Sequence, residues 1–207
     1  MTFQSVVNRN FTTGTAGKVV RDGPIRAKPG RITSATIGTD PAQSTNRISR
    51  AFGYSGASAA TGVTYAAEVP TVAVGGPIFY GVLFHPESYE LNGTVQGGPL
   101  AASFDLPHGS LGQFADMAIL IAELFNETTA SKPMSYGDQV AFAPNTITVG
   151  ENAQAIPYGG LISVAEGAAA PTGFVLIPNA RIINPVTIAA SAAGAPVSGL
   201  TIIQLTQ

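Results

Sequence analysis

Apolar residues in this chain fall into short runs separated by Gly, Pro and Asn, and many are β-branched or alternate with small or polar residues. That is the signature of strands rather than helices. The densest stretch is Val69–Glu90, VPTVAVGGPIFYGVLFHPESYE. Val72 and Val74 alternate with small residues before the break at Gly75-Gly76-Pro77, and Ile78–Phe84 is almost wholly apolar until His85-Pro86 stops it. Such a run is too short for a helix and reads as buried strand.

Further along, Leu100–Leu106 alternates and ends at Pro107, and Asn92-Gly93 is a hairpin-type turn. Strands are also expected at Gly137–Ala143, Thr146–Val149, Gly173–Ile177, Arg181–Ile188 and Leu200–Leu205, with small-residue loops at Ala165–Thr172 and Ala189–Gly199. Ser110–Phe125 is ambiguous: Ser110 with Gln113 fits a capping box, and Leu111, Phe114, Ala118, Ile121 and Phe125 have helical spacing. One helical turn at 110–115 followed by a strand at 117–125 is the expectation. Many short strands at this spacing indicate an all-β sandwich or barrel of short antiparallel strands.

Residues 1–62 break this rhythm. Arg21-Asp22-Gly23-Pro24 and Lys28-Pro29-Gly30-Arg31 are closely spaced turn signals, leaving room only for short edge strands at Val19-Val20 and Arg31–Ile37. Thr39–Gly62 is rich in Ser, Thr, Gly and Ala, a long loop of the kind that serves function or orders on binding. The expected organisation is an extended, irregular N-terminal arm over 1–62 and a β-rich domain over 63–207.

Composition sharpens the picture. Only 11% of the 207 residues are charged, against about 25% in an average soluble domain, which suits a protein that lives in an assembly. Charge is also unevenly placed. Met1–Ala51 carries eight basic residues against Asp22 and Asp40, a net of +6, whereas the remainder carries Lys132 and Arg181 against ten acids, a net of −8. One end is therefore expected to meet an acidic partner. There is no cysteine, hence no disulfide framework or thiolate metal site. The first residues lack the basic-then-apolar pattern of a signal peptide, and no apolar run reaches the length of a membrane helix, so a protein made in the cytoplasm without membrane association is expected.

Candidate chemistry is sparse. His85 and His108 form no paired metal-ligand motif. Asp105, His108 and Ser110 are crowded too closely in sequence for a hydrolytic triad, and there is no GxSxG elbow. Carboxylate pairs such as Glu87 with Glu90 or Asp116 with Glu123 are read as solvated faces, while glycosidase-type pairs distant in sequence stay open to inspection. Gly53–Gly62 lacks the lysine and hydroxyl of a phosphate loop. The Asn-x-Ser/Thr triplets at Asn10, Asn92 and Asn126 matter only in a secretory pathway. The basic arm includes Phe11, Phe52 and Tyr54, but its charge is dilute for nucleic-acid binding. The expectation is no catalytic residue, no metal, no cofactor and no nucleic-acid partner.

Several segments resemble the structural cement, or head-decoration, family of tailed bacteriophages. The likeness runs from Met1-Thr-Phe-Gln-Ser-Val-Val-Asn through Gly17-Lys18-Val19-Val20, Asp22-Gly23-Pro24 and Arg26-Ala27. It continues in Phe79–Tyr89, similar to the family's Gly-(Ile/Val)-Leu-x-x-Pro-x-x-Tyr strand and turn, then in Leu106-Pro107, Asp116–Ile121 and Tyr136-Gly137-Asp138-Gln139-Val140, the last resembling a Gly-Asp-x-Val strand start. The family glycine before the middle strand corresponds to Ala118 here, and residues 39–62 have no counterpart. The resemblance implies no catalytic site. It implies a homodimer or homotrimer on the outer surface of a phage head, clamping neighbouring major capsid subunits. Arg21, Arg26, Arg31, Arg47, Arg50 and Phe52 are the expected capsid contacts. The competing reading is a virion-surface carbohydrate-binding or adhesion β-sandwich using Tyr54, Tyr65, Tyr80, Tyr89, Tyr136 or Tyr158, whose scatter points instead to core and turn packing. A major capsid protein is disfavoured by the short chain and the lack of a long helix.

Overall fold

The structure, a computed structural model, describes residues 16–20, 24–33, 46–54, 71–76, 78–84, 106, 111–144, 146–149, 154–190 and 197–206. Among these residues the fold is all-β. The strands are β1 (Arg26–Ile32), β2 (Ala51–Tyr54), β3 (Thr71–Val74), β4 (Phe79–Leu83), β5 (Leu111–Phe125), β6 (Lys132–Pro133), β7 (Gln139–Phe142), β8 (Ile147–Val149), β9 (Gln154–Ile156), β10 (Leu161–Val164), β11 (Val175–Asn184), β12 (Thr187–Ile188) and β13 (Ser198–Leu205).

Nine of them form one sheet in the order β1-β3-β2-β4-β5-β10-β7-β11-β13, and that sheet closes on itself twice, because β1 and β13 each pair with β5 as well. The first ring is β1, β3, β2, β4 and the first half of β5, with Arg31↔Leu111 and Ala27↔Ala115 on one flank and Val82↔Ala115 and Leu83↔Phe114 on the other. The second ring is β10, β7, β11, β13 and the second half of β5, with Ser198↔Phe125 through Leu205↔Ala118 on one flank and Leu161↔Leu124 on the other. Closure removes most exposed strand edges. Most ladders are antiparallel, while β1–β3 and β5–β10 are parallel. Two short antiparallel pairs, β6 with β12 and β8 with β9, lie outside the rings.

β5 changes rings at Asp116. On β1, Arg26 faces Met117 and the next residue, Ala27, faces Ala115, so Asp116 is the extra residue of a bulge. The bulge switches the face on which alternate side chains lie. Before it, Phe114 packs with Ile32, Phe52, Val72, Tyr80 and Leu83 in the first core. Beyond it, Ala118, Leu120, Ala122 and Leu124 pack with Val140, Phe142, Leu161, Ile182, Ile203 and Leu205 in the second. β5 is also strongly bent. Ser49 donates its N–H to the Leu83 carbonyl at 2.7 Å, and its Oγ accepts the Glu123 N–H at 2.8 Å. A flat strand would hold Phe114, the partner of Leu83, about 30 Å from Glu123. One serine cannot bridge that, so the strand curls back.

The first core is aromatic: the Phe52 and Phe114 rings are 4.9 Å apart, and Tyr80 stands edge-on to Phe114 at 5.6 Å. Room for Phe114 comes from the cross-strand pair Gly30↔Gly112, where a Cβ at either position would lie 2.8 Å from the ring. A third cluster, Phe125, Ala141, Ile156, Ile162, Val164 and Phe174, with Ile147 packed against it, lies under the β8–β9 pair.

Several expectations are corrected here. Of the expected helical turn at 110–115, the described residues 111–115 are strand: Leu111 is exposed and Phe114 buried, opposite faces of a period of two, and the Asp116 bulge then inserts one residue so that Phe114 and Ala118, four apart, both fall on core positions as in helical spacing. The division at residue 62 does not separate an arm from a domain among the described residues: β1 and β2 are members of the first ring. β2 falls within the expected loop 39–62, and β1 begins at Arg26 rather than Arg31, running through the Lys28-Pro29-Gly30 turn signal. Pro29 is tolerated because it needs no ladder donor there and its carbonyl accepts the Tyr80 hydroxyl at 2.6 Å. The two strands expected at 173–188 are one long β11 followed by β12, with Asn179 at φ 54 in the irregular stretch between its two registers with β7. Val19 makes an isolated bridge to Leu120. Leu100–Asp105 and Asn92-Gly93 lie outside the described residues.

The rings meet where Ala51 donates to the Gly159 carbonyl at 2.9 Å, with Gly159 at φ +67 and its would-be Cβ 2.4 Å from the Ala51 oxygen. Gly159→Ala is therefore expected to lower stability by more than about 2 kcal/mol. Gly167→Ala, at φ +75 with open space around it, should cost only the backbone strain, about 1 kcal/mol. Urea unfolding midpoints of the two variants check this; equal losses would refute tight ring-to-ring packing at Gly159.

Candidate functional site

The best-defined polar site is the bulge itself. Asp116 is buried, 2% exposed, and its carboxylate accepts from Arg26 Nε at 2.7 Å and Arg26 Nη2 at 2.9 Å. Lys28 Nζ lies 2.7 Å from Oδ2, the oxygen that also accepts from Arg26 Nη2. Arg26 and Lys28 are two apart on β1 and so share a face, while Asp116 stands opposite Ala27 between them. Lys28 also sits 4.5 Å over the Tyr80 ring. Burial alone pushes the Asp116 pKa up; the bonds from Arg26 and Lys28, and then their charges, outweigh it and hold the carboxyl below its ordinary value. Asp116 was expected on a solvated face; the fold instead places it inside, because the bulge turns it toward two cations.

A second polar cluster joins the rings. Arg50 is buried, 3.7 Å from the Glu123 carboxylate and 4.5 Å over the Phe125 ring. Glu123 also accepts from the Ser198 hydroxyl at 2.7 Å. Near β6, Lys132 bonds to both the Glu127 carboxylate and the Ser163 carbonyl, the latter at 2.6 Å. Asn126, a glycosylation triplet in the sequence, is fully buried, donating to the Ala130 and Ala189 carbonyls at 2.7 and 3.0 Å. Its amide holds a turn.

The six expected contact residues do not share one surface. Phe52 is core and Arg50 is interior; neither side chain is presented to a partner. Arg47 is half-buried, Arg26 is 49% exposed although bonded to Asp116, and Arg31 is exposed at the end of β1. Arg21 lies outside the described residues, as do His85, His108, Asp105, Ser110, Glu87 and Glu90. Among the tyrosines, Tyr54 and Tyr80 pack edge to face at 4.9 Å, whereas Tyr136 is 74% exposed in a turn. Tyr65 and Tyr89 lie outside the described residues. Among the described residues no cluster of His, Asp and Glu is arranged to hold a metal ion, and no helix is long and apolar enough to cross a membrane.

What the structure does bring together is a basic strip along one flank of β5. Residues 17–20 run antiparallel to Ile119–Ile121, with Ile121 donating to Lys18 and Val20 to Ile119, and β1 runs antiparallel to Leu111–Met117. Lys18, Arg26, Lys28 and Arg31 thereby lie along one edge of β5, with Arg26 and Lys28 on one face of β1 and Arg31 on the other. In sequence these four are separated by turn signals and count only as net charge; their shared strand partner is visible only in the fold. No family model matches the chain, and no curated protein matches it.

Asp116→Asn should lower stability by about 2–3 kcal/mol at neutral pH, between the values for exposed and fully buried pairs, since its partners are partly solvated. With the folded carboxyl pKa depressed, the wild-type contribution is complete above about pH 4 and is lost as pH falls through the lower folded value. Urea midpoints between pH 2 and 7 should therefore converge for wild type and Asp116→Asn at the acid end. Parallel curves would show that Asp116 does not supply the stabilisation.

Proposed function

We propose that the protein is a capsid decoration, or cement, protein that binds the outer surface of a phage head and clamps neighbouring major capsid subunits. The observation that carries this reading is the shared strand. Because β5 belongs to both closed rings, a force applied to one ring enters the other through covalent backbone and ladder hydrogen bonds, not through a separable domain interface. A clamp on a pressurised shell requires a body that does not yield between its points of attachment. The segment resemblance to head-decoration proteins supports the same role, as do a charge content of only 11% and a positive balance confined to Met1–Ala51. Small homo-oligomers, a dimer or a trimer, repeated over a shell would sum individually modest contacts by multivalency.

The alternative is a virion-surface carbohydrate-binding or adhesion module, favoured by the single observation that Tyr136 is 74% exposed beside Gly137 and Asp138.

Co-sedimentation of the full-length protein with empty shells of the cognate phage is the decisive measurement. Saturable binding, with a rise in the temperature at which shells rupture, is the expected outcome. Failure to bind, together with glycan-array signal that Tyr136→Ala abolishes, would replace the decoration reading with the adhesion one.

A further inference from the structure

Lys132 and Arg181 are the only lysine and arginine after Ala51, in a stretch that carries ten acids. Lys132 is held by Glu127 and by the Ser163 carbonyl. Arg181 takes part in none of the ion pairs among the described residues. Its Nη1 is buried with no hydrogen-bond partner in the protein, and so is Oε1 of Gln139, its register partner on β7. Each of these atoms has given up water without a replacement, which destabilises the free protein. An arginine that avoids so many acids and leaves a buried donor unused is poorly explained by folding alone.

The fold sets Arg181 on the outer face of the second ring. Ala180, Ile182, Val140, Ile203 and Leu205 all belong to the core of that ring. Gln139, Arg181 and Gln204, paired across β7, β11 and β13, therefore form one outward row about 10 Å long. All three are half-buried, so the row reaches the surface. The turn that carries Tyr136 adjoins it: Gly137 donates to the Ile182 carbonyl at 2.9 Å, and the Asp138 carbonyl accepts from Ile182 at 2.8 Å. Tyr136 itself is 74% exposed. Two carboxylates stand at the same end. Asp138 accepts the Ser135 N–H at 2.7 Å, and Glu166 Oε2 lies 3.6 Å from where a Cβ on Gly137 would be.

We propose that this row is a subsite for an acidic saccharide. Arg181 swings outward to grip the carboxylate of a uronic acid through its planar fork. The Gln139 and Gln204 amides, which both donate and accept, bond to sugar hydroxyls, which do the same. Tyr136 offers its ring to the apolar face of the sugar. The outward swing ends the unpaired state of Nη1, so the bound form gains a bond that the free form lacks. Asp138, Glu166 and the balance of two bases against ten acids after Ala51 repel extended negative charge, so the site takes a single carboxylate and rejects polyanions. The inference goes beyond the decoration reading and does not rest on it.

The test is isothermal titration calorimetry of the full chain with digalacturonate, and with neutral digalactose and a tetraglutamate peptide for comparison. Digalacturonate should bind more tightly than either. Arg181→Gln should weaken it by about tenfold or more, and Arg181→Lys should restore only part, because an ammonium lacks the fork. Lys18→Gln, on the edge of β5, should leave it unchanged. Arg181→Gln should also keep or raise the urea midpoint, since it removes the unpaired guanidinium nitrogen, whereas a purely structural arginine would lower it. The proposal is overturned if wild type does not bind digalacturonate or binds it no better than Arg181→Gln does. A fall in midpoint alongside the binding loss, or equal or tighter binding of digalactose or tetraglutamate, would overturn it too. Shell co-sedimentation keeps the two readings apart. Arg181→Gln should saturate shells as wild type does; if it alone fails, Arg181 is a shell contact and the saccharide assignment falls. If wild type binds digalacturonate but no shell, the subsite stands and decoration falls.

Discussion

The contact between one buried carboxylate and two cations determines how this chain is built. Asp116 is an extra residue in β5, and an extra residue inside a ladder normally turns outward or leaves backbone groups unpaired. Here it turns into the protein, where an isolated charge would be costly to hold. Arg26 and Lys28 neutralise it from the neighbouring strand. The bulge then lets the alternation of β5 change face, so that Phe114 serves one core and Ala118, Leu120, Ala122 and Leu124 serve the other. Without a residue of switched face at this point, a single strand could not line two rings.

The two rings are further tied by contacts that admit little adjustment. Ala51 and Gly159 bond at 2.9 Å, Gly75 packs so closely that a Cβ there would lie 3.0 Å from the Ala143 and Pro144 carbonyl oxygens, and Ser49, at φ 74, spans from Leu83 to Glu123. A non-glycine residue at positive φ costs strain that the surrounding bonds must offset. The Ser49 hydroxyl meets a β5 N–H that β10 and residues 17–20 do not reach, which is the local reason for the strain. These features make the two rings one body, and that is the property on which the clamp reading depends.

Charge is distributed to match. The sequence places most basic residues near the N-terminus, but the fold sorts them by use. Arg50 pairs with Glu123 and lies over Phe125 in the interior. Arg26 and Lys28 hold the bulge and still reach solvent, with side chains 49% and 32% exposed. Arg31 and Lys18 are exposed on the same flank. Structural and surface positions are thus divided among the cations beside β5: Arg26 and Lys28 hold the bulge, and Arg31 and Lys18 face solvent.

The sequence by itself determined the all-β class, the strand character of Ile78–Phe84 and of the regular segments after Gly137, and the concentration of positive charge in the first quarter. Each of these rests on local information: β-branched and aromatic runs, Gly and Pro breaks, and residue counts. Tertiary structure alone decided the rest. Phe52 and Tyr54 in a Ser- and Gly-rich stretch became strand because β3 and β4 supply ladders on both sides. Leu111–Phe125 became one bent strand because non-local partners, β1, β4, β13 and β10, outweigh a local pattern that resembles a helix. Arg50 and Asp116 went inside because each found a partner distant in sequence, at Glu123 and at Arg26 with Lys28. Charge is legible along a chain, but which charges are neutralised depends on pairings between residues far apart, and those exist only once the rings have closed.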